Sequence, residues 1–206
     1  GTKMVSDHIA RVDLSQRPFR IWGDGGDTYS CDSLIVSTGA QAKWLGLPSE
    51  QAFQGFGVSA CATCDGFFFR NKQVVVIGGG NTAVEEALYL TNHATKVTLI
   101  HRRDSLRAEK MLQQRLFNHP KIKVIWDAAV DEVVGKKAPP GVTGVKVKNV
   151  KTGELTEHPC DGVFMAIGHE PNAKIFRGQL DMDERGYVRC RPNSTYTNVP
   201  DRKSVV

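Results

Sequence analysis

The sequence contains few cysteines and no long apolar run. Its 206 residues include five cysteines, an odd and sparse set that argues against a secreted scaffold held together by disulfides. None of its hydrophobic stretches approaches the ~20 residues that a membrane-spanning helix needs. Residues 1–8 also lack the apolar core of a secretory signal peptide. We therefore expect a cytoplasmic protein with no membrane partner.

The net charge is close to zero outside one stretch of the chain. The whole chain carries +5, yet residues 96–123 alone hold eight basic and two acidic side chains, a net of +6, so the remainder sums to −1. The basic members are Lys96, Arg102, Arg103, Arg107, Lys110, Arg115, Lys121 and Lys123. A surface for polyanions spreads its positive charge, whereas this chain localises it. The pattern predicts one bound anionic group and no nucleic-acid partner.

The order of the apolar patterns predicts an α/β fold. The β-branched run at Gln73–Ile77 is typical of a strand buried on both faces of a parallel sheet. A helix pattern at Asn81–Leu90 and a second strand at Lys96–Ile100 complete a β-α-β unit. We expect further strands at Lys121–Trp126 and Gly162–Ile167.

Three further elements are predicted around this unit. Phe19–Trp22 and Ser33–Ser37 are expected to pair as a hairpin about the glycine-rich turn at 23–27. Val142–Val150 and Leu155–His158 are expected to form a second hairpin. Asp104 is expected to cap a helix. The apolar positions of that helix are Ala108, Met111, Leu112 and Leu116.

Two irregular stretches predict the domain boundaries. Residues 41–57 contain several glycines and a proline, and residues 169–172 interrupt the pattern after the last strand. The length of the chain fits one large domain with pieces of another. We therefore expect segments 1–40, 41–168 and 169–206, with the middle one forming a domain of its own.

The pattern Gly78-x-Gly80-x-x-Ala83 lies between the first strand and the helix. Gly78 permits a tight turn, Gly80 lets the backbone approach a pyrophosphate, and Ala83 allows close packing of helix and strand. The helix N-terminus, which begins with Asn81 and Thr82, offers N–H groups to an anion. The context favours a dinucleotide site over an ordinary glycine-rich turn.

The end of the second strand distinguishes between the two nicotinamide nucleotides. NAD-specific folds have an acidic residue there, whereas this chain has His101-Arg102-Arg103. Two arginines attract a 2′-phosphate, and Arg107 is expected one helical turn beyond Arg103 on the same side. The alternative is a solvated basic helix face, which explains the arginine pair at the strand end less well. We therefore favour NADPH.

Cys61 and Cys64 form a Cys-x-x-Cys pair that is followed directly by Asp65. Their spacing allows a small, reducible disulfide ring, whereas a zinc site needs two more ligands that the chain does not offer at suitable spacing. No metal is therefore expected. A carboxyl beside a dithiol can relay a proton, although Asp65 also fits a plain turn. The remaining cysteines, Cys31, Cys160 and Cys190, are expected to be inert.

Together these motifs resemble low-molecular-weight thioredoxin reductases of the bacterial and plant type. The resemblance rests on four segments, Cys61–Gly66, Gly78–Ala87, His101–Arg107 and Ala166–Asn172, and it extends from about Ser37 to about Pro200. It implies a flavoprotein in which a Rossmann-like, three-layer NADPH domain, 41–168, interrupts an FAD domain split into 1–40 and 169–206. It also implies electron flow from NADPH to FAD, to the dithiol and to thioredoxin, in a homodimer.

The resemblance also assigns roles to individual residues. Cys61 would attack the thioredoxin disulfide, Cys64 would exchange with the flavin, and Asp65 would be the acid. The residues implied to bind NADPH are Gly78, Gly80, Asn81, Thr82, Ala83, His101, Arg102, Arg103, Arg107, Ile167 and Gly168. Thr38, Gly39 and Ala40 resemble the strand-end segment near the flavin.

Some features depart from the family pattern. The family has an FAD-binding glycine motif before the position of Gly1 and an alanine–glycine–aspartate flavin motif near the position of Asp201. Their absence leads us to expect a fragment that binds NADPH, holds FAD poorly and does not turn over alone. Two alternatives stay open: the flavoprotein reductase of a peroxidase system, which Ala62 and Thr63 disfavour, and a non-catalytic NADPH-binding module.

Overall fold

The chain folds as two compact units in the computed structural model, which describes residues 1–200 and the backbone of residues 202–204. One unit is continuous and comprises Ala42–Gly168. The other combines Gly1–Gln41 with His169–Val206. The units therefore divide after residues 41 and 168, compared with predicted divisions after residues 40 and 168. The mixed α/β architecture with a parallel sheet confirms the predicted fold class.

The continuous unit is built on a five-stranded parallel sheet. The spatial order of its strands is β6-β13-β7-β8-β9. Their bounds are β6 Val58–Ser59, β7 Gln73–Ile77, β8 Lys96–Ile100, β9 Ile122–Ile125 and β13 Gly162–Met165. The β-branched run of β7 is buried on both faces, as its composition predicts.

Helices cover one face of this sheet. They are α2 Ala62–Asp65, which continues into a 3₁₀ turn at Gly66–Phe69, α3 Asn81–Leu90 and α4 Lys110–Phe117. The short helix α1, Pro48–Ala52, instead contacts the long strand Ala128–Lys137. Val74 and Val76 of β7 pack in a cluster with the buried side of α3. The members on α3 are Ala83, Val84, Ala87 and Leu90, which recur at helical spacing. Of the four helices, α2, α3 and α4 contribute to this cluster or pack against it.

An antiparallel meander covers the other face of the sheet. Its strands are β10 Ala128–Lys137, β11 Pro140–Asn149 and β12 Leu155–Pro159. Val75 and Ile77 of β7 cluster with Val133 and Val145 of the meander. The layers are therefore helices, parallel sheet and antiparallel sheet. Each fully buried valine or leucine contributes roughly 1.5–3 kcal/mol through the apolar surface that it removes from water.

The discontinuous unit consists of small sheets. Its strands are β1 Ile9–Asp13, β2 Phe19–Gly23, β3 Thr28–Cys31, β4 Leu34–Val36, β5 Ala40–Ala42, β14 His169–Pro171 and β15 Arg202–Ser204. Strands β1–β3 form an antiparallel sheet, β4 pairs with β15 in parallel, and β5 pairs with β14. A 3₁₀ turn lies at Lys174–Phe176. The unit has its own core around Phe19, Val36 and Phe176.

The first predicted hairpin is wrong in its partner strand. β2 pairs with Thr28–Cys31, because the turn at 24–27 is short enough to return the chain at once. Leu34–Val36 instead pairs in parallel with β15, a contact between residues far apart in sequence. The second hairpin, β11 with β12, is confirmed. The strand β10, which completes the meander, was not predicted.

The prediction of a helix capped by Asp104 is also wrong. Helix α4 begins at Lys110, after Glu109, and residues 101–109 have no regular secondary structure. Leu106 and Ala108 are buried and belong to the core although they precede the helix, whereas Met111 is exposed. The apolar positions that predicted one continuous helix therefore belong partly to this buried loop and partly to α4.

Candidate functional site

The Cys61–Cys64 disulfide lies at the start of α2, shortly after β6 ends. The two cysteines are disulfide-bonded, with Cα atoms 5.3 Å apart. Cys61 is the N-cap of α2, and its Sγ accepts the Cys64 N–H at 3.2 Å. Cys64 is exposed and Cys61 is partly exposed. The disulfide is therefore accessible at its Cys64 side, as exchange with an external thiol or disulfide requires.

Ser59 links β6 to the disulfide and to Asp65. Its hydroxyl donates to Asp65 Oδ2 at 2.6 Å and accepts the Cys61 N–H at 3.0 Å. Ser59 is buried, so these bonds are shielded from water. The hydroxyl fixes the predicted proton-relay carboxyl beside the pair. Sequence reasoning missed Ser59, because a serine two residues before a cysteine has no motif of its own.

Glu86 on α3 is a second residue that sequence reasoning missed. Its carboxyl accepts a hydrogen bond from the Ala62 N–H, directly between the two cysteines in sequence. Its Oε2 is buried and has no partner among the residues that the structure describes. Burial raises the pKa of Glu86 to about 7, against the lowering effect of that hydrogen bond. A usable signal was present, since Glu86 lies three residues after Ala83 and four before Leu90 on the core-facing side of a helix.

The glycine loop between β7 and α3 has no room for a side chain at Gly78 but is open at Gly80. Gly78 has φ +153°, and a Cβ there would clash with the Ala166 carbonyl and the Ala83 Cβ. At Gly80 nothing lies within 4 Å of the position of a Cβ. The first turn of α3 follows at once and leaves N–H groups without intrahelical partners. A phosphate can therefore approach the backbone at Gly80.

The arginines lie in an irregular loop after β8. Arg102, Arg103 and Arg107 are exposed, and within residues 1–200 no carboxylate lies within 4 Å of their guanidinium groups. The prediction that Arg107 lies one helical turn beyond Arg103 is wrong, because this stretch is not helical. The Arg107 N–H instead donates to the Gly79 carbonyl at 2.8 Å. This bond joins the glycine loop to residues 101–109, which we call the basic loop.

The His101 side chain packs directly against the glycine loop. Its ring is buried, packs edge-on against Trp126 and occupies the space where a Cβ at Gly79 would stand. Burial lowers the pKa of His101, and the nearby arginine charges lower it further. The ring is therefore neutral at pH 7 and packs beneath the loop. Its predicted contact with NADPH stays a prediction.

The Asn81 side chain forms a second link between the glycine loop and the basic loop. Its Oδ1 accepts the Glu109 N–H at 2.8 Å, and its amide group donates to the Glu109 carboxylate at 3.4 Å. Glu109 closes the basic loop just before α4. The Asn81 side chain, predicted to contact cofactor, is thus engaged in holding that loop. Thr82 follows on α3 and is half-buried.

Comparison with known proteins identifies the family. The profile of the pyridine nucleotide-disulphide oxidoreductases matches residues 1–201. The chain belongs to this family. It is 60% identical over 199 residues to a thioredoxin reductase of Rickettsia conorii, covering 97% of this chain and 64% of that protein. It is 52% identical over 207 residues to that of Escherichia coli O157:H7, covering 97% and 63%.

Solved structures of the family agree with the fold. The crystal structure of Lactococcus lactis thioredoxin reductase in its FR conformation matches with a TM-score of 0.83 at 39% identity. The match covers 97% of this chain and 64% of that one. The predicted resemblance to bacterial thioredoxin reductases is thereby confirmed. The chain spans a little under two thirds of the length of these relatives.

The remaining residues predicted to bind NADPH lie at the carboxyl end of the sheet. Ile167 and Gly168 lie two and three residues after the end of β13, the neighbour of β7, and Gly168 has φ +106°. Ligands of open α/β sheets bind at this edge. The open Gly80 backbone and the unpaired arginines fit a dinucleotide with a 2′-phosphate. In the described part of the continuous unit, the predicted residues thus come from the ends of β7, β8 and β13.

The segment predicted to lie near a flavin is in the other unit. Thr38, Gly39 and Ala40 are exposed, Gly39 has φ +67°, and no atom of the described residues lies within 4 Å of the position of a Cβ there. Asn172 fixes the segment, since its N–H donates to the Gly39 carbonyl at 2.9 Å and its amide group to the Thr38 carbonyl at 3.0 Å. The open side of Gly39 fits the approach of a cofactor.

Two other functional features are absent from the part of the chain that the structure describes. No helix in residues 1–200 is long and apolar enough to cross a membrane. No group of three or more histidine, cysteine, aspartate or glutamate side chains in that range is arranged to hold a metal ion. Cys160 is buried, which raises the pKa of its thiol to about 12 and keeps it protonated.

Proposed function

We propose that the chain acts in the NADPH-dependent reduction of thioredoxin, with FAD as the second cofactor. The observation that carries this proposal is the presence, in one compact unit, of an accessible disulfide, an open glycine loop and three unpaired arginines. The names of the similar proteins point to the same reaction.

NADPH is the nucleotide that the continuous unit fits best. Gly78, Gly80, Thr82 and Ala83 would hold the pyrophosphate through backbone groups, and Asn81 would keep the basic loop in place. Arg102, Arg103 and Arg107 would hold the 2′-phosphate, because unpaired guanidinium groups form charge-assisted bonds to it. His101, Ile167 and Gly168 would complete the site at the sheet edge. These residues bind and orient the nucleotide.

The dithiol performs the exchange with thioredoxin. A Cys61 thiolate attacks one sulfur of the thioredoxin disulfide, so a mixed disulfide forms and one thioredoxin thiolate leaves. Cys64 then attacks Cys61 Sγ, which releases the second thioredoxin thiolate and restores the Cys61–Cys64 disulfide. Asp65, fixed by Ser59, passes a proton to a departing sulfur. FAD, when bound near Thr38–Ala40, supplies a two-electron relay between the nicotinamide and this disulfide.

A protein disulfide fits the surroundings of Cys64 better than a small molecule does. Phe67 and Phe68 follow α2, and their side chains are 57% and 68% exposed. Large exposed apolar side chains beside a reactive group are typical of a protein contact. The Arg70 guanidinium lies 4.7 Å from the centre of the Phe67 ring and gives this surface a polar rim. Thioredoxin is the partner that we infer.

We also infer a cytoplasmic location and a homodimer. Cys160 and Cys190, which form no disulfide, favour a reducing compartment. The homodimer rests on the family resemblance, which places the contact in the FAD domain. Neither nucleic acid nor a membrane is expected as a partner.

Trapping of a mixed disulfide tests the proposed function. Cys64→Ser leaves Cys61 to attack thioredoxin but removes the thiol that resolves the intermediate. Oxidised thioredoxin should therefore form a covalent adduct with the Cys64→Ser chain, located at Cys61 by peptide mass spectrometry. Cys61→Ser is the matched control and should give much less adduct. Equal amounts from both variants, or none from either, would contradict the assignment.

A further inference from the structure

Glu86 is a half-buried carboxyl that the proposed exchange does not use. It lies on α3, whose first turn follows the glycine loop, yet its carboxyl is directed to α2 and accepts the Ala62 N–H. Because Ala62 directly follows Cys61, this bond anchors the backbone beside the disulfide. The second carboxyl oxygen, Oε2, is buried without a partner in the described structure. A half-satisfied carboxylate in such a place is costly, so proteins keep one where it has a task.

No counter-charge among residues 1–200 neutralises this carboxyl. Burial has the largest effect on the pKa of Glu86 and raises it, the hydrogen bond from the Ala62 N–H lowers it, and no charged neighbour contributes. On α2, Asp65 is engaged by Ser59. Tyr89 on α3 and His93, three residues after the helix ends, follow Glu86, and their rings pack edge-on against each other, 5.5 Å between centroids. Cys61 and Cys64 lie on either side of the Ala62–Thr63 backbone, and their sulfurs are the groups there that become ionisable when the disulfide is reduced.

We propose that Glu86 is a positioning residue of the dithiol, which fixes the start of α2 and takes up a proton as a thiolate forms beside it. When a cysteine thiol ionises, its proton leaves and a negative charge remains on sulfur. Like charges on neighbouring groups are unfavourable, so formation of the thiolate favours binding of one proton at Glu86 Oε2, an atom that is shielded from water. Thiolate formation and carboxyl protonation are thus coupled, and proton number is conserved. The proposal builds on the redox role of the dithiol but requires neither NADPH, FAD nor thioredoxin.

The pH profile of thiol alkylation tests this coupling in the chain itself. The chain is reduced with dithiothreitol, which donates two electrons and two protons to the disulfide and becomes the cyclic disulfide. After its removal, iodoacetamide reacts with the cysteines between pH 5.5 and 9.5, and mass spectrometry follows the peptide that contains Cys61 and Cys64. The wild-type profile should show an additional inflection near pH 7, where Glu86 titrates.

Glu86→Gln removes the ionisation but keeps an oxygen for the Ala62 N–H. Its profile should lack the inflection near pH 7, and its lower thiol pKa should shift downwards by about one unit. Alkylation at pH 7.5 should be about threefold faster, since a tenfold gain in thiolate is partly offset by lower nucleophilicity. Glu157→Gln, an exposed change on β12, should reproduce the wild-type profile.

Two outcomes would overturn the proposal. One is a Glu86→Gln profile that superimposes on that of the wild type, which would leave Glu86 a purely structural residue. The other is a wild-type profile without an inflection between pH 6 and 8, a result that needs no variant to fold. Asp65→Asn should retain the inflection, and its loss there would assign the titration to Asp65. Failure to trap thioredoxin would leave this coupling intact, so the two proposals fail separately.

Discussion

The stability of the continuous unit should depend on pH through Glu86. The pKa of Glu86 is raised from 4.5 to about 7 in the folded chain, so the folded state holds more protons between these values than the unfolded state does. Its stability therefore falls as pH rises from about 4.5 to 7 and is level above that range. A difference of about 2.5 pKa units corresponds to about 3.4 kcal/mol, which partial exposure reduces to about 2 kcal/mol.

Urea unfolding of the wild type and Glu86→Gln measures this effect. The variant cannot ionise, so its free energy of unfolding minus that of the wild type should increase by about 2 kcal/mol between pH 4.5 and 7.5. Fluorescence of Trp126, whose ring packs against His101 in the continuous unit, reports the transition. Glu157→Gln controls for loss of an exposed carboxyl. A constant difference across this range would refute the burial of a titrating Glu86.

Two further predictions concern the nucleotide loops. The double change Arg102→Ala and Arg103→Ala should weaken NADPH binding by ~1–3 kcal/mol for each lost charge-assisted bond and leave NADH nearly unaffected, as measured by calorimetry on the chain. Arg115→Ala, exposed on α4, is the control, and equal losses for both nucleotides would reject the 2′-phosphate assignment. Asn81→Ala should also reduce the NADPH-to-NADH preference, by a smaller factor of about 3–10, because the basic loop loses its Glu109 bond. An unchanged preference would show that the Arg107 bond to Gly79 holds the loop alone.

Local patterns predicted the central β-α-β unit well. Gln73–Ile77, Asn81–Leu90 and Lys96–Ile100 form β7, α3 and β8 with the same bounds, because strand composition, the glycine loop and helix periodicity agree there. The Cys61–Cys64 disulfide likewise follows from spacing alone. These signals act between residues that are near in sequence, so the sequence displays them directly.

Non-local contacts account for what the sequence did not reveal. Leu34–Val36 reads as a hairpin strand, but its partner β15 lies more than 160 residues further along the chain. Residues 104–109 read as helical, but their burial comes from packing against the core and not from a helix. Glu86 reads as an ordinary helix former. Its place on the core-facing side of α3 indicates partial burial, but only the contact of α2 with α3 shows that its carboxyl bonds to the backbone next to Cys61.

The ends of the continuous unit meet within the unit itself. Lys43, its second residue, donates its N–H to the carbonyl of Gly168, its last, at 2.9 Å. A domain whose termini are neighbours can be excised as a separate polypeptide, or circularly permuted, with a linker of only a few residues. We therefore expect the segment 42–168 to fold as a separate polypeptide. A new N-terminus could be opened at the exposed turn of residues 151–154 while a short bridge closes 168 to 42.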